Sequence, residues 1–517
     1  MTVGERAWPS CSTILVFYNF ILYPFFLSPL RNLPKAKGFI PLIGHTWMRL
    51  RQPTGQAFLD TINEIPNNGL ILSRGILHTA NLIVTSTDAL ADILVHRSHD
   101  FERPPFTRAL MKKFIGNSLL TIEGEEHRHL RKSMTPAFHF RNIKGLYPMF
   151  WAKSTEFCRA LNKDLSEQPD RVLEIGHYST QVTMDMIGLA GLGRDIDSLQ
   201  HSDDELIKMY EEIFEPTKEK VLYFICQISL SPWVVDKLPW GLNKKLKVGM
   251  SRLKKLCSEF VAEKKAKMEL ESAGSQGSRD ILSLIIRSNN FSDDNLVDHL
   301  LTMLAVGHET TSSTLTWSSY LLSRHPDVQS HLRSEIHEYI PDPKVLLNSA
   351  FDVAGLLESM PCLNGVCNEV LRLFPTVPVT TRVAIHDTTV AGHYIPTGTM
   401  FYLVPWAINR NPAMWGPDAE EFMPERWIDK ETGRATMKGG AESNFSFLTF
   451  SHGPRSCIGE RFARAELRTL VAALVGSFAM ELADPLEKVV AGGTITSKPV
   501  NGMRLKLQPV AWGSCSG

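Results

Sequence analysis

Between Phe450 and Leu467 the chain reads FSHGPRSCIGERFARAEL, a glycine-punctuated turn that delivers Cys457 to the start of an amphipathic helix. No other stretch restricts the fold and its chemistry as much. A thiolate needs a depressed pKa, and both a helix N-terminus and a bound cation favour the charged sulfur. Gly453 and Gly459 permit tight turns and close approach of the backbone to a flat ligand. Arg455 is set to meet an anionic carboxylate, and Phe450 to pack beside the sulfur, where an apolar shell tunes a bound metal. The plain alternative is a buried structural cysteine.

Five further segments ask for a shared explanation. LAVGHETTSS, from Leu304, sets Glu309 beside Thr310 inside an otherwise apolar helical run, Asp293 to Ser323. Hydroxyls there can bond the backbone four residues back, and Gly307 is expected to leave room for a ligand at the helix face. A Glu-Thr-Thr run taken alone reads as a solvated face. NEVLRLFP places Glu369 and Arg372 three apart on a helix that ends before Pro375, so the two can pair. FMPERW follows with Phe422, Pro424 and Arg426. His127 and Arg131 lie four apart in EGEEHRHLRKSMTPAF, on a presumed helix, and Arg382 lies on a strand in VTTRVA. His308 has no metal-ligand spacing and reads as structural. His127 and His129 alone make a poor zinc site.

The 517 residues are 43% hydrophobic and 21% charged, which suits a folded core and excludes wholesale disorder. Lys plus Arg and Asp plus Glu are both 55, so no excess positive field invites nucleic acid. Eight cysteines without a CxxC pair suit a reducing compartment. Helix-period segments dominate beyond residue 50: Asp203 to Glu215, Leu242 to Glu271, Asp293 to Ser323 and Pro326 to Tyr339. Strand-like runs are short, near 70 to 85, at 381 to 399 and toward the end, which predicts a mainly α fold with small β-sheets. The stretch 272 to 280 reads as a flexible loop, and the apolar 214 to 240 as a substrate-side or membrane-dipping element or plain core.

The cysteine segment matches the FxxGxRxCxG signature of the cytochrome P450 family at Phe450, Gly453, Arg455, Cys457 and Gly459. LAVGHETTSS resembles the family's (A/G)Gx(D/E)T pattern, with Val306 in place of Ala or Gly, which puts the shape of the substrate space in doubt. Glu369 and Arg372 resemble its ExxR pair, FMPERW the segment that joins that pair, and His127 with Arg131 its WxxxR with His for Trp. The resemblance covers essentially the whole chain. It implies one triangular, mainly helical domain, and haem b with Cys457 as axial iron ligand. Arg455, His127, Arg131 and Arg382 would meet the propionates, and Glu309 and Thr310 would serve dioxygen activation. Glu369, Arg372 and Arg426 would form a structural network that holds the cysteine loop.

The implied reaction inserts one oxygen atom from O2 into an apolar small-molecule substrate, with electrons from NADPH-cytochrome P450 reductase and cytochrome b5 as an optional second donor. Thiolate ligation favours O–O cleavage. The strings EGEEHRHLRKSMTPAF and EEFMPERWID resemble fungal members, which implies a terpenoid or polyketide intermediate. A fatty acid or other lipid is the near alternative. A haem-thiolate isomerase or dehydratase would not need Glu309 and Thr310. A haem sensor or binder, and a scaffold without haem, remain as non-enzymatic readings.

Ser12 to Leu30 is a run of 19 residues without a charge, close to the length of a bilayer-crossing helix. A cleaved signal peptide fits less well, because Glu5 precedes the run and no small-residue cleavage site follows it. A buried helix is weakened by Pro24. Residues 1–30 are therefore expected to be a single-pass anchor, 31–50 a stiff Pro/Gly-rich linker, and 51–517 the catalytic domain. Arg31, Lys35 and Lys37 after the span put that domain on the cytoplasmic side, at the endoplasmic reticulum membrane.

Overall fold

A computed structural model describes residues 17–200, 205–214, 217, 219–220, 222–223, 226–227, 232–271, 280–348, 350–493 and 495–512. The chain divides into two compact units. The smaller comprises Met1–Pro104, Val377–Ala419 and Glu442–Arg455; the larger comprises Pro105–Thr376, Glu420–Ala441 and Ser456–Gly517.

The smaller unit is built on a five-stranded sheet in the order Leu70–Arg74, Ala80–Val84, Met400–Leu403, Thr380–Ala384, Phe101–Glu102. The first pair is an antiparallel hairpin with Leu70 opposite Val84, and Ala80–Val84 runs parallel to Met400–Leu403. The sheet buries Leu72, Leu82, Phe101, Phe401 and Leu403 in one core. Leu30 and Leu33 join that core, and Lys35 bridges Leu72. The Pro/Gly-rich segment therefore carries 3-10 turns at Pro29–Asn32 and Thr46–Arg49 and is tied to the sheet rather than extended throughout. Tyr18–Leu27 is a ten-residue π-helix with Pro24 inside it. Among the described residues no helix is long and apolar enough to cross a membrane; the residues before Phe17 lie outside them.

In the larger unit the helices that matter for the site are α1 (Gly124–Met134), α2 (Tyr147–Glu167), α3 (Ile175–Ile187), α4 (Gly241–Glu271), α5 (Asp293–Arg324), α6 (Pro326–Tyr339), α7 (Pro361–Leu373) and α8 (Glu460–Ser477). A three-stranded sheet runs Val172–Glu174, Arg504–Pro509, Phe478–Leu482, and a short hairpin pairs Ala491–Gly492 with Lys498–Pro499. The expected helices at 242–271, 293–323 and 326–339 form within a residue of their sequence bounds. The 203–215 run forms as Glu205–Phe214. The 272–279 loop lies outside the described residues, as does much of 214–240, where Leu222, Val234 and Leu238 are exposed while Val235 is buried.

Helix α5 is the axis of this unit. Ser292 caps it by accepting from the Asn295 N–H, and Asp293 and Asp294 sit where the helix dipole favours acids. Its second half buries a polar run from Thr311 to Ser319, which the hydrophobic effect alone would not allow. The hydroxyls solve this locally: Thr310 donates to Val306 O, Thr314 to Thr310 O, Thr316 to Ser312 O, Ser318 to Thr314 O and Ser319 to Leu315 O. Each of these five satisfies itself on its own helix, whereas Ser313 donates to Ser497 O and Thr311 finds no good hydrogen-bond geometry among the described residues.

Candidate functional site

Cys457 stands two residues before Gly459, the N-cap of α8. Among the described cysteines it is the exposed one, while Cys158, Cys257, Cys362 and Cys367 are buried and burial pushes their thiols up to about 12. Surrounding protein atoms also raise the Cys457 thiol above its ordinary value, against the Gly459 N–H and the Arg131 charge, which lower it. A thiolate at this position is favoured by a bound cation. An accessible, soft donor at a helix start with a single N–H aimed at it fits one bond to an iron centre.

The loop around the sulfur is braced on both sides. Arg131, on α1, donates from Nη1 to Ser456 O at 2.6 Å. The sequence predicts propionate partners at Arg131 and His127 and gives no sign of this contact. His127 is buried on the same helix, four residues earlier. Helix α8 is pinned along α7: the Arg464 guanidinium binds Asn368 and Glu460, and Arg468 binds Asn364 at 2.6 Å.

Gly453, Arg455 and Phe450 belong to the smaller unit. Gly453 has φ +71°, and a Cβ there would overlap the Leu94 carbonyl, so the glycine is required by both backbone and space. Gly459 differs from expectation. Its φ of −89° is open to any residue, and its use is the N–H it presents to the sulfur. Arg455 ends a 3-10 turn, Phe450 packs near Phe447 with ring centroids 6.3 Å apart, and Arg382 is buried on its strand, donating to Thr381 O at 2.9 Å.

The ExxR pair is a closed network in the larger unit. Glu369 and Arg372 are both fully buried. Glu369 Oε1 accepts from Arg372 Nη2 at 2.7 Å, Arg426 Nε at 3.0 Å and Met423 N at 3.1 Å. Its Oε2 accepts from Arg372 Nε and Trp427 Nε1, both at 2.8 Å, and Arg372 also reaches Glu421 O. Five donors on one carboxylate leave no lone pair idle, which is the condition under which a buried ion pair holds. Trp427 was missed by sequence reasoning, although its indole N–H in FMPERW was the signal. Phe422 packs on His325 instead.

On α5, Glu309 and Thr310 stand where the sequence put them, and Val306 is 40% exposed. The Thr310 hydroxyl is spent on Val306 O at 2.9 Å. Thr376 reaches the same turn, accepting or donating at Thr314 Oγ1 over 3.1 Å and donating to Thr310 O. The Gly307 expectation is corrected. A Cβ there would meet Ile187 Cδ1 at 2.7 Å and Cγ1 at 2.8 Å, so the glycine serves close packing of α5 on α3, and no ligand room opens at that face. His308 is buried with Nδ1 on Leu304 O, and burial lowers its pKa, consistent with a structural histidine.

The family model described as cytochrome P450 matches residues 31–502. Cytochrome P450 monooxygenase sphH of Aspergillus fumigatus is 40% identical over 96% of this chain and 91% of its own length. Cytochrome P450 monooxygenase ptmK of Penicillium ochrochloron is 37% identical over 96% of this chain and 97% of its own. Cytochrome P450 monooxygenase FUM15 of Gibberella moniliformis is 34% identical over 98% and 93%.

Proposed function

The chain belongs to the cytochrome P450 family and is a monooxygenase of fungal type, and on that premise we propose that Cys457 would hold its haem through a thiolate bond to the iron and that an apolar natural-product intermediate is its substrate. The observation that carries the ligand assignment is the accessible Cys457 sulfur at the start of α8, set in the family signature. The haem, when bound, supplies the activation of O2, and its thiolate ligation favours O–O cleavage.

The chain's own residues do the rest. Arg131 and the α7–α8 contacts hold the loop that presents the sulfur. His127, Arg131, Arg382 and Arg455 are proposed to face the propionates, because cationic and N–H donors suit carboxylates. Glu309 and Thr310 are proposed to handle protons for the reaction, Glu309 as a carboxylate and Thr310 as a hydroxyl that would have to release its bond to Val306 O to take part. Glu369, Arg372 and Arg426 stay structural.

The substrate class rests on the likeness to fungal monooxygenases, with a fatty acid as the second reading. We further propose residues 1–30 as a membrane anchor, 31–50 as a linker and 51–517 as the catalytic part. The catalytic part would lie on the cytoplasmic face of the endoplasmic reticulum and take electrons from NADPH-cytochrome P450 reductase, with cytochrome b5 as a second donor. The uncharged run from Ser12 and the basic residues after it support this.

The deciding experiment is the absorption spectrum of the reduced, carbon-monoxide-bound protein. A strongly red-shifted Soret band in the wild type that is absent in Cys457→Ser supports the assignment; the same band in both proteins refutes it. A substrate screen in which only fatty acids shift the spectrum and are hydroxylated would refute the natural-product reading.

A further inference from the structure

Glu309 does not stand alone on its helix. The hairpin that pairs Ala491–Gly492 with Lys498–Pro499 turns its loop toward α5 and is fixed there through the Ser497 peptide. The Ser497 N–H donates to Thr376 O at 2.8 Å, and its carbonyl accepts from Ser313 Oγ and from Trp317 Nε1 at 3.1 Å. Gly493, at φ +122°, allows the loop to close, since a Cβ there would overlap the Thr496 carbonyl. With the loop so anchored, its two neighbouring side chains meet one atom. Thr496 Oγ1 donates to Glu309 Oε1 at 2.9 Å, and Lys498 Nζ lies 3.2 Å from the same oxygen.

The Lys498 and Glu309 side chains are 39% and 33% exposed, and a partly exposed pair of this kind adds little to stability. It does fix direction. Glu309 has several rotatable bonds, and two donors on one oxygen select a single arrangement from them. The charged and titratable groups felt at this position are Lys498 from the hairpin and His308 from α5 itself, the latter buried and turned to Leu304 O.

We propose that Lys498 and Thr496 are positioning residues for Glu309, so that proton traffic along α5 depends on the 491–499 hairpin. This rests on the reading of Glu309 as a proton-handling group. Lys498→Met, Thr496→Val, Lys498→Arg, Glu309→Gln and the double variant Lys498→Met/Glu309→Gln are compared with the wild type, each as full-length holoprotein with reductase and no added substrate. Two readouts are taken: NADPH oxidation and hydrogen peroxide release in H2O against D2O, and hydrogen exchange of the hairpin amides by mass spectrometry.

Lys498→Met and Thr496→Val are expected to speed exchange in the hairpin. Lys498→Met should also change the solvent isotope effect or the peroxide yield about two- to threefold. Lys498→Arg should restore wild-type behaviour, and Lys498→Met should add nothing in the Glu309→Gln background. If Glu309→Gln changes the isotope effect and Lys498→Met does not, or if the two effects add, the positioning role is overturned and the role of Glu309 stands. If Glu309→Gln changes nothing, the proton role of Glu309 falls, and the positioning role with it.

Discussion

Glu466, on α8, is fully buried, and among the described residues its carboxylate meets only the Thr311 hydroxyl, which favours the ionised form without reaching good hydrogen-bond geometry. Burial pushes its pKa from the ordinary 4.5 up to about 8. Below pH 4.5 the group is protonated both folded and unfolded and costs nothing. Between that pH and about 8 the folded chain keeps a proton that the unfolded chain releases, so stability falls as pH rises, by about 1.4 kcal/mol per unit. Above that window the loss is complete, at roughly 3 to 6 kcal/mol. Glu466→Gln removes the titration and keeps the shape. Urea unfolding of wild type and variant from pH 5 to pH 9, followed by tryptophan fluorescence, should show the variant gaining on the wild type through this range and then running parallel to it. A carboxylic-acid C=O stretch in the infrared spectrum at pH 6, absent from the variant, is the companion signal. Two unfolding curves that stay parallel at every pH would refute the reasoning, since they would mean that Glu466 is as ionised in the folded chain as in water.

Three other substitutions test the framework. Glu369→Gln leaves Arg372 and Arg426 buried against a neutral amide and should cost about 3 to 5 kcal/mol; it is read as loss of haem-loaded protein per total protein and a lowered thermal midpoint. Gly307→Ala pushes a methyl group against Ile187 and should cost about 1 to 3 kcal/mol, with Ile187→Val in the same chain recovering part of the loss in thermal unfolding. Gly453→Ala should abolish a correctly formed loop, because a φ of +71° and the Leu94 carbonyl both oppose the new Cβ; reduced carbon-monoxide spectra would show no red-shifted band from soluble protein.

What the sequence made legible was what is written in neighbouring residues. Helix α6 was bounded at Pro326 and Tyr339 because Pro opens it at N1 and apolar residues return along one stripe. The Glu369–Arg372 pairing followed from spacing on a helix, and the Thr310 hydroxyl's turn toward Val306 O from the chemistry of threonine inside one. Contacts that span the chain were not readable. Gly307 announces a close approach but not by what, and Ile187 lies 120 positions earlier. Lys498 meets Glu309 only because the Ser497 peptide is fastened to α5 and Thr376. Met400–Leu403 escaped notice as a strand because a short, fully apolar run carries no alternation. The segment 31–50 shows its prolines and glycines plainly, yet its partner, Leu72, is set by the sheet.

The self-contained hydroxyls of α5 have a consequence for how such a protein can diverge. A buried polar wall usually binds its neighbours to itself, because every change opposite it strands a donor. Here Thr316, Ser318 and Ser319 owe their hydrogen bonds to their own backbone, so the side chains opposite them are free to be exchanged for larger, smaller or differently branched apolar ones without orphaning a polar atom. At these three positions the helix is then a fixed template against which the facing walls can be remodelled one residue at a time, each step judged by volume.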